Sequence, residues 1–226
     1  MEDAKQLALT VCVSGDCKSY VKRNAIEYLN AVFGSEVIFS EILPSVNEEF
    51  LTVIGDLLYK ESDARLEKPM IKQLKTKQNL HLLKLLICMN SKFAVEYYTK
   101  AVSCKNGTFH QNSAIYDPTE AISTIKNPEL LPELIQLAKV RFRPGCEDEN
   151  FHCLYSSLIN ALSNCAKTEF NRVRSELVHL KESASDNQEL IGFCSNTINA
   201  IDKQNASCIV RNWTLAEVKA VIQGIT

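Results

Sequence analysis

Glycine and proline are scarce in this sequence, with seven glycines and six prolines among 226 residues. An all-β or Rossmann-type protein of this length would need more glycines, because tight turns and phosphate-binding loops use backbone conformations that glycine adopts most freely. Helices joined by short connections need few. No apolar run approaches the roughly 18 residues that would span a bilayer. We therefore expect a soluble helical protein with no membrane-spanning segment.

An excess of charge of either sign is also lacking. The sequence has 25 Lys and Arg residues against 27 Asp and Glu residues, for a formal net charge of -2. A general nucleic-acid-binding protein usually carries a strong positive excess. Nucleic acid is therefore not expected as the partner.

Cysteine is abundant, but it lacks the spacing of a zinc site. No C-x-x-C pair occurs, the number of cysteines is odd, and the acidic start of the chain is not that of a signal peptide. We expect reduced thiols in a cytoplasmic protein. The nine cysteines are Cys12, Cys17, Cys88, Cys104, Cys146, Cys153, Cys165, Cys194 and Cys208.

The nearest grouping of possible metal ligands lies in the second half of the chain. It comprises Cys146, His152, Cys153 and Cys165. Structural zinc requires ligands brought together by a knuckle or a close pair, and Cys165 falls on a predicted buried helix face. We expect neither a metal nor another cofactor.

Catalytic signatures are missing as well. The sequence contains no nucleophile elbow, no P-loop and no glycine-rich dinucleotide-binding motif. Its four histidines lie far apart in the sequence, and none has an Asp or Glu at a spacing that would indicate a catalytic pair. They are His81, His110, His152 and His179. We expect no enzymatic activity. A helical enzyme with an unrecognised polar pocket is kept as a third alternative.

Apolar residues recur at three- and four-residue spacing along most of the chain, which predicts about eleven helices. Short helices cannot each bury a face alone. We therefore expect an all-α fold, an α-solenoid of degenerate HEAT/TPR-like helix pairs, with a compact non-repeat helical domain as the alternative. Besides a short segment at 36–43, the predicted helices cover 2–13, a segment from an N-cap at Asp16 to about Phe33, 46–60, 64–75, 78–89, 91–104, segments starting at Asp117 and Asn127, two within 150–182, 187–202 and 215–223.

One long polar stretch, 105–117, interrupts these helices and is predicted to be a loop. It separates N-terminal repeats at 1–104 from C-terminal repeats at 118–226, which together form one continuous solenoid. Within 150–182, the apolar faces 151–165 and 170–180 are separated by only a few residues. This spacing predicts two helices packed antiparallel as a hairpin.

The first two helices have apolar residues that we assign to their inner faces. Leu7 and Val11 are predicted to point inward from the first helix. Along the second helix the apolar residues that share one side are Tyr20, Ala25, Tyr28, Leu29 and Val32. Gly34 is predicted to end that helix with a positive φ.

Two basic groups are the candidates for contact with a partner. Lys68, Lys72 and Lys75 share one face of the 64–75 helix, where they could meet nucleic acid or an acidic protein. A solvated helix face is the simpler interpretation of this row. Lys139, Arg141 and Arg143 lie at a helix C-terminus, where cations also favour the helix dipole.

Residues 64–223 contain a series of leucine-rich segments. These segments are Leu66–Lys68, Asn79–Leu86, Ala94–Tyr98, Asn127–Ile135, Phe151–Leu162 with Ala166 and Val173–Leu177, and Asn212–Val218. Their pattern resembles the C-terminal helical repeats of bacterial NACHT-type STAND NTPases and contains no catalytic motif.

In that family the C-terminal repeats are the sensor, which keeps the NTPase inactive until a ligand, often a phage protein, binds. The resemblance implies a protein-recognition module in antiphage defence, with nucleotide-binding and effector domains upstream of a sensor fragment. The alternative is a generic HEAT- or TPR-like scaffold with an unrelated cytosolic protein partner.

Overall fold

The computed structural model describes residues 2–44, 48–61, 63–76, 79–103, 116–142 and 152–212. Within these ranges it contains eleven α-helices and no β-strand, which confirms the all-α fold class. The stacking of helix pairs into a solenoid stays a prediction. The helices are α1 (Glu2–Val13), α2 (Ser19–Phe33), α3 (Ser35–Val37), α4 (Glu48–Leu58), α5 (Ala64–Thr76), α6 (Leu80–Cys88), α7 (Lys92–Ser103), α8 (Tyr116–Ile122), α9 (Leu131–Arg141), α10 (His152–Ser183) and α11 (Gln188–Asn212).

Three shorter helical turns extend these elements. A π-helix, Ile38–Ile42, continues α3, and 3₁₀ turns follow α4 at Tyr59–Glu61 and precede α9 at Pro128–Leu130. The predicted helix at 215–223 and most of the predicted loop at 105–117 lie outside the described residues. By its internal contacts the chain divides into two compact units, Met1–Ile122 and Ser123–Thr226.

α6 is the centre of the first unit. It packs against α4, α5, α7 and α8. None of its residues is exposed, and even the polar His81 and Lys84 are half-buried, which is typical of a central helix. Its N-terminus is capped by the Asn79 side chain, which accepts a hydrogen bond from the Leu82 N–H at 3.1 Å. The buried residues of α6 are Leu82, Leu83, Leu85, Leu86 and Ile87.

The turn from α6 to α7 depends on two polar residues. Asn90 adopts a φ of 59°, a left-handed conformation that asparagine tolerates better than most residues. The Ser91 hydroxyl then accepts a hydrogen bond from the Ala94 N–H at 3.4 Å. Together they reverse the chain in a few residues, so α7 returns against α6.

α7 is joined to α8 by a buried hydrogen bond. The hydroxyls of Tyr98 and Thr119 lie 2.7 Å apart, and both side chains are buried. Burial raises the pKa of the Tyr98 phenol to about 12, because the ionised form would lose its hydration. Tyr98 is therefore neutral in the folded protein at any physiological pH.

α2 buries a different side from the one that the sequence predicts. Its buried residues are Lys22, Ile26 and Leu29, whereas Tyr20, Tyr28 and Val32 are exposed. The prediction for Leu29 is confirmed, and those for Tyr20, Tyr28 and Val32 are wrong. α2 packs against both α1 and α4, and these neighbours cover the Ile26 side of the helix.

The buried Lys22 is accommodated by an aromatic ring. Its ammonium lies 4.2 Å from the centroid of the Phe50 ring on α4, and only 4% of the residue is exposed. The ring face attracts the cation, while the aliphatic stem packs among the helices. Gly34 ends α2 with a φ of 81°, as the sequence predicts.

The second unit contains the predicted helical hairpin, whose two helices follow each other without a loop and together form α10. α10 runs from His152 to Ser183, but Glu169 breaks it with a φ of -128° and a ψ of 49°. A straight helix of that length would set its ends about 45 Å apart. Instead, Phe142 contacts residues near the start of α10 and just beyond its end, because its ring lies 5.9 Å from that of Tyr155 and its carbonyl accepts a hydrogen bond from the side chain of Asn187, which precedes α11. The chain therefore reverses at Glu169, which confirms the hairpin.

Three aromatic rings pack together where these segments meet. Phe193 on α11 lies 4.9 Å from Phe142 and 5.5 Å from Tyr155, measured between ring centroids. Phe193 is fully buried. The cluster joins the end of α9 to α10 and α11, and thereby holds the hairpin in the second unit.

Replacing Phe193 with Ala should destabilise the second unit by about 3–5 kcal/mol, because it removes a buried ring and leaves a cavity. Urea unfolding followed by far-UV circular dichroism measures this loss. Asn199→Ala, an exposed change on the same helix, should stay within about 0.5 kcal/mol of the wild type. Equal effects of the two substitutions would contradict the packing role of Phe193.

The Tyr98 phenol should make stability fall between about pH 10 and 12, because the unfolded state loses its proton in this range while the folded state retains it. Below about pH 10 the phenol of Tyr98 makes its full contribution to the free energy of unfolding. The stability difference between wild type and Tyr98→Phe should shrink by about 2–3 kcal/mol across this window. Urea titrations at several pH values measure the difference, and a constant value would contradict the burial argument.

Candidate functional site

The described part of the chain holds no group of three or more His, Cys, Asp or Glu side chains that could bind a metal ion. His81 does pair with a carboxylate, since its Nε2 lies 2.8 Å from Asp56 Oδ1. Asp56 is on α4 and His81 on α6, so this bond ties two packed helices together. Packing alone is sufficient to explain the pair.

Three buried thiols are poorly suited to nucleophilic chemistry. Burial raises the pKa of Cys12, Cys165 and Cys194 to about 11 in each case. The thiolate is the reactive form, so these side chains remain protonated and unreactive near neutral pH. Cys165 is buried as the sequence predicts, and its Sγ lies 3.6 Å from the carbonyl oxygen of Asn127.

The three predicted lysines of α5 are all exposed on one side of the helix. Lys68, Lys72 and Lys75 are exposed, and their spacing of four and three residues places them along one face. The Lys75 ammonium lies 4.9 Å from the centroid of the Phe93 ring on α7. The structure thus brings the predicted row next to an aromatic side chain that the sequence reasoning did not include.

The neighbouring Arg65 has a different role, because it is fully occupied within the molecule. Its guanidinium donates to the Glu36 carboxylate at 2.8 and 3.0 Å and to Asp63 at 2.8 Å. It also lies 4.4 Å from the Phe39 ring centroid. Hydrogen bonds from Arg65 lower the pKa of both carboxyl groups. Arg65 fastens the start of α5 to the α3 segment.

The second predicted basic group does not form a described cluster. Lys139 is exposed in the last turn of α9. Arg141 is half-buried, with its guanidinium carbon 5.2 Å from the Phe142 ring centroid. Arg143 lies outside the described residues. The two described cations occupy a helix C-terminus, where the helix dipole favours positive charge.

Large apolar side chains are exposed on α1 and α2, most of them where the sequence predicted burial. Among the described residues, every exposed large apolar side chain belongs to α1 or α2. Leu7 is 67% exposed and Tyr20 63% exposed, against the inward orientation predicted for both. We name this the α1–α2 apolar surface, formed by Leu7, Val13, Tyr20, Tyr28 and Val32.

The signal for this surface was present in the sequence. α2 has two apolar stripes, one through Ile26 and Leu29 and the other through Tyr20, Tyr28 and Val32. A helix that packs on one side needs only one stripe. Two stripes therefore indicate that one of them faces solvent or a partner, although the sequence does not say which.

Comparisons with known proteins identify no relative of this chain. A scan of family models, a search of curated proteins and a search of solved structures each found no match. None of the helices in the described ranges is long and apolar enough to cross a membrane. The resemblance to NACHT-type proteins therefore stays a hypothesis carried by the sequence pattern.

Selective alkylation should distinguish the cysteines by their burial. Cys153 is exposed, so iodoacetamide at pH 8 should modify it while Cys12, Cys165 and Cys194 remain unmodified in the native protein. Peptide mass spectrometry measures the extent at each site, and the same treatment in urea is the control that exposes all thiols. Rapid native labelling of Cys165 would contradict its placement.

Proposed function

We propose that this chain is a non-catalytic protein-recognition module whose α1–α2 apolar surface binds a partner protein through an apolar helix face. The observation that carries the proposal is the concentration of exposed large apolar side chains in one helix pair. Soluble proteins rarely leave a sizeable apolar patch in water, and such patches are typical of protein-binding sites.

The composition of this surface also favours a protein partner. Tyr20 and Tyr28 are large, rigid side chains with a polar end, a type enriched among the residues that dominate binding energy. Leu7 and Val32 supply aliphatic area, and each would contribute about 1.5–3 kcal/mol when fully covered. Membrane binding is the less favoured use, because lysine and arginine do not accumulate on the polar sides of these two helices.

A specific version of the proposal comes from the family resemblance. In it, the chain is the ligand-sensing region of a STAND NTPase in antiphage defence, the partner is a phage protein, and an NTPase domain lies upstream. The resemblance begins at residue 64, so the α1–α2 apolar surface precedes it. The alternative is a HEAT- or TPR-like scaffold that binds an unrelated cytosolic protein.

Affinity capture from phage-infected and uninfected bacterial lysates tests this proposal. The protein should enrich a phage protein reproducibly, and the variant Tyr28→Ser/Val32→Ser should reduce that enrichment at least tenfold because it removes exposed apolar contact area. Quantitative mass spectrometry measures the enrichment, and an unchanged thermal transition verifies that the variant is folded. Gln136→Ser, an exposed change on α9, is the matched control.

Two outcomes would redirect the proposal. Equal enrichment of host proteins from both lysates, still lost in the double variant, would favour the generic scaffold over the phage sensor. A concentration-dependent dimer in light-scattering measurements, abolished by Tyr28→Ser/Val32→Ser, would identify a second copy of the chain as the occupant and contradict the role in binding a different protein.

A further inference from the structure

We infer that a second face of the first unit binds an acidic protein segment that carries an apolar side chain. This acidic-segment face consists of Lys68, Lys72 and Lys75 on α5 with Phe93 and Tyr97 on α7. It deepens the proposed function, since it names the chemistry of a partner, but it uses residues separate from the α1–α2 apolar surface. The two surfaces can therefore fail independently.

The charge of this face is not neutralised from within the described protein. No described carboxylate forms an ion pair with Lys68, Lys72 or Lys75. At the start of α5, Arg65 holds both Asp63 and Glu36, and Glu67 precedes Lys68 without a described ion pair to the row. The three ammonium groups are therefore available to an external anion.

The row has a length that suits a short peptide segment. A separation of seven residues along α5 corresponds to about 10.5 Å between Lys68 and Lys75. An extended segment covers that distance with three or four residues, and a helical partner covers it with two turns. Carboxylates at alternate positions of a strand, or at three- and four-residue spacing of a helix, would therefore match the lysines.

The aromatic part of the face gives the partner a second point of contact. The Phe93 and Tyr97 rings lie 5.9 Å apart at an interplanar angle of 31°, and both side chains are half-buried. Lys75 lies over Phe93, so positive charge and apolar area adjoin directly. A segment that places an aromatic or aliphatic side chain beside its carboxylates would contact both.

A protein segment fits these observations better than a nucleic acid. Nucleic-acid binding gains most of its affinity from many phosphate contacts along an extended basic surface, and the row offers three lysines in two turns. The net charge of the whole sequence is -2, so no general positive field would assist. A short row of charges beside an apolar area is typical of a face that binds a peptide.

Fluorescence anisotropy with a defined probe tests the inference. The probe is a fluorescein-labelled peptide of about a dozen residues, glutamate throughout except for phenylalanine at every fourth position. The full chain should bind it at low ionic strength, and affinity should fall with added salt because the attraction is screened. Lys68→Glu/Lys72→Glu should weaken binding at least tenfold, and Phe93→Ala about threefold to tenfold.

Matched controls separate this face from general charge and from the first surface. Lys181→Glu/Lys203→Glu carries the same change in net charge on exposed lysines of the second unit and should keep the wild-type affinity within about twofold. Tyr28→Ser/Val32→Ser should also keep it. If the chain binds the peptide but captures no partner protein, this inference stands and the proposed function fails. If the chain captures a partner protein but does not bind the peptide, the proposed function stands and this inference fails.

Four results would overturn the inference. They are no binding of the probe at low salt, equal binding of a peptide with glutamine in place of glutamate, wild-type affinity in Lys68→Glu/Lys72→Glu, and tighter binding of an oligothymidine of similar length. The last result would assign the face to single-stranded nucleic acid instead.

Discussion

The enclosure of α6 is the constraint on which the first unit depends. Four helices pack around it, and none of its residues is exposed, so the burial of this one helix sets where its neighbours lie. A polar bond also joins it to a neighbour, since His81 is bonded to Asp56 on α4. A helix with so wide an apolar face is unstable in water by itself, and its neighbours supply the cover that it requires.

The second unit is organised by a reversal within a nearly continuous helix. Glu169 takes a non-helical conformation, and the chain returns so that Phe142 contacts both Tyr155 near the start of α10 and Asn187 beyond its end. Within α10, Glu169 is the residue that leaves the helical range. The spacing of the two apolar faces predicted this reversal, because a straight helix could not have buried both against the same neighbours.

Two surfaces of the first unit lie outside its hydrophobic core. The α1–α2 apolar surface exposes side chains that would gain by leaving water, and the acidic-segment face exposes lysines that no described carboxylate pairs with. A recognition module is the kind of protein in which such surfaces are useful, because binding depends on groups that folding has not already satisfied.

The sequence by itself determined where the helices lie. The ends of α1 at Val13 and of α2 at Phe33, and the cap at Asn127, follow from local rules that need no knowledge of distant residues. It also predicted the lysine row of α5, because residues at that spacing share a face in any helix. The proximity of Phe93 to Lys75 could not be predicted, since it depends on how α7 packs.

Only the tertiary structure decided which side of α2 is buried. Local hydrophobicity would place Tyr20, Tyr28 and Val32 inside and Lys22 outside, and the opposite is found. The reason is that α1 and α4 cover the Ile26 and Leu29 stripe, and Phe50 supplies a ring face for the Lys22 ammonium. Periodicity identifies an apolar stripe, but the neighbouring helices determine whether that stripe becomes core or remains a surface for a partner.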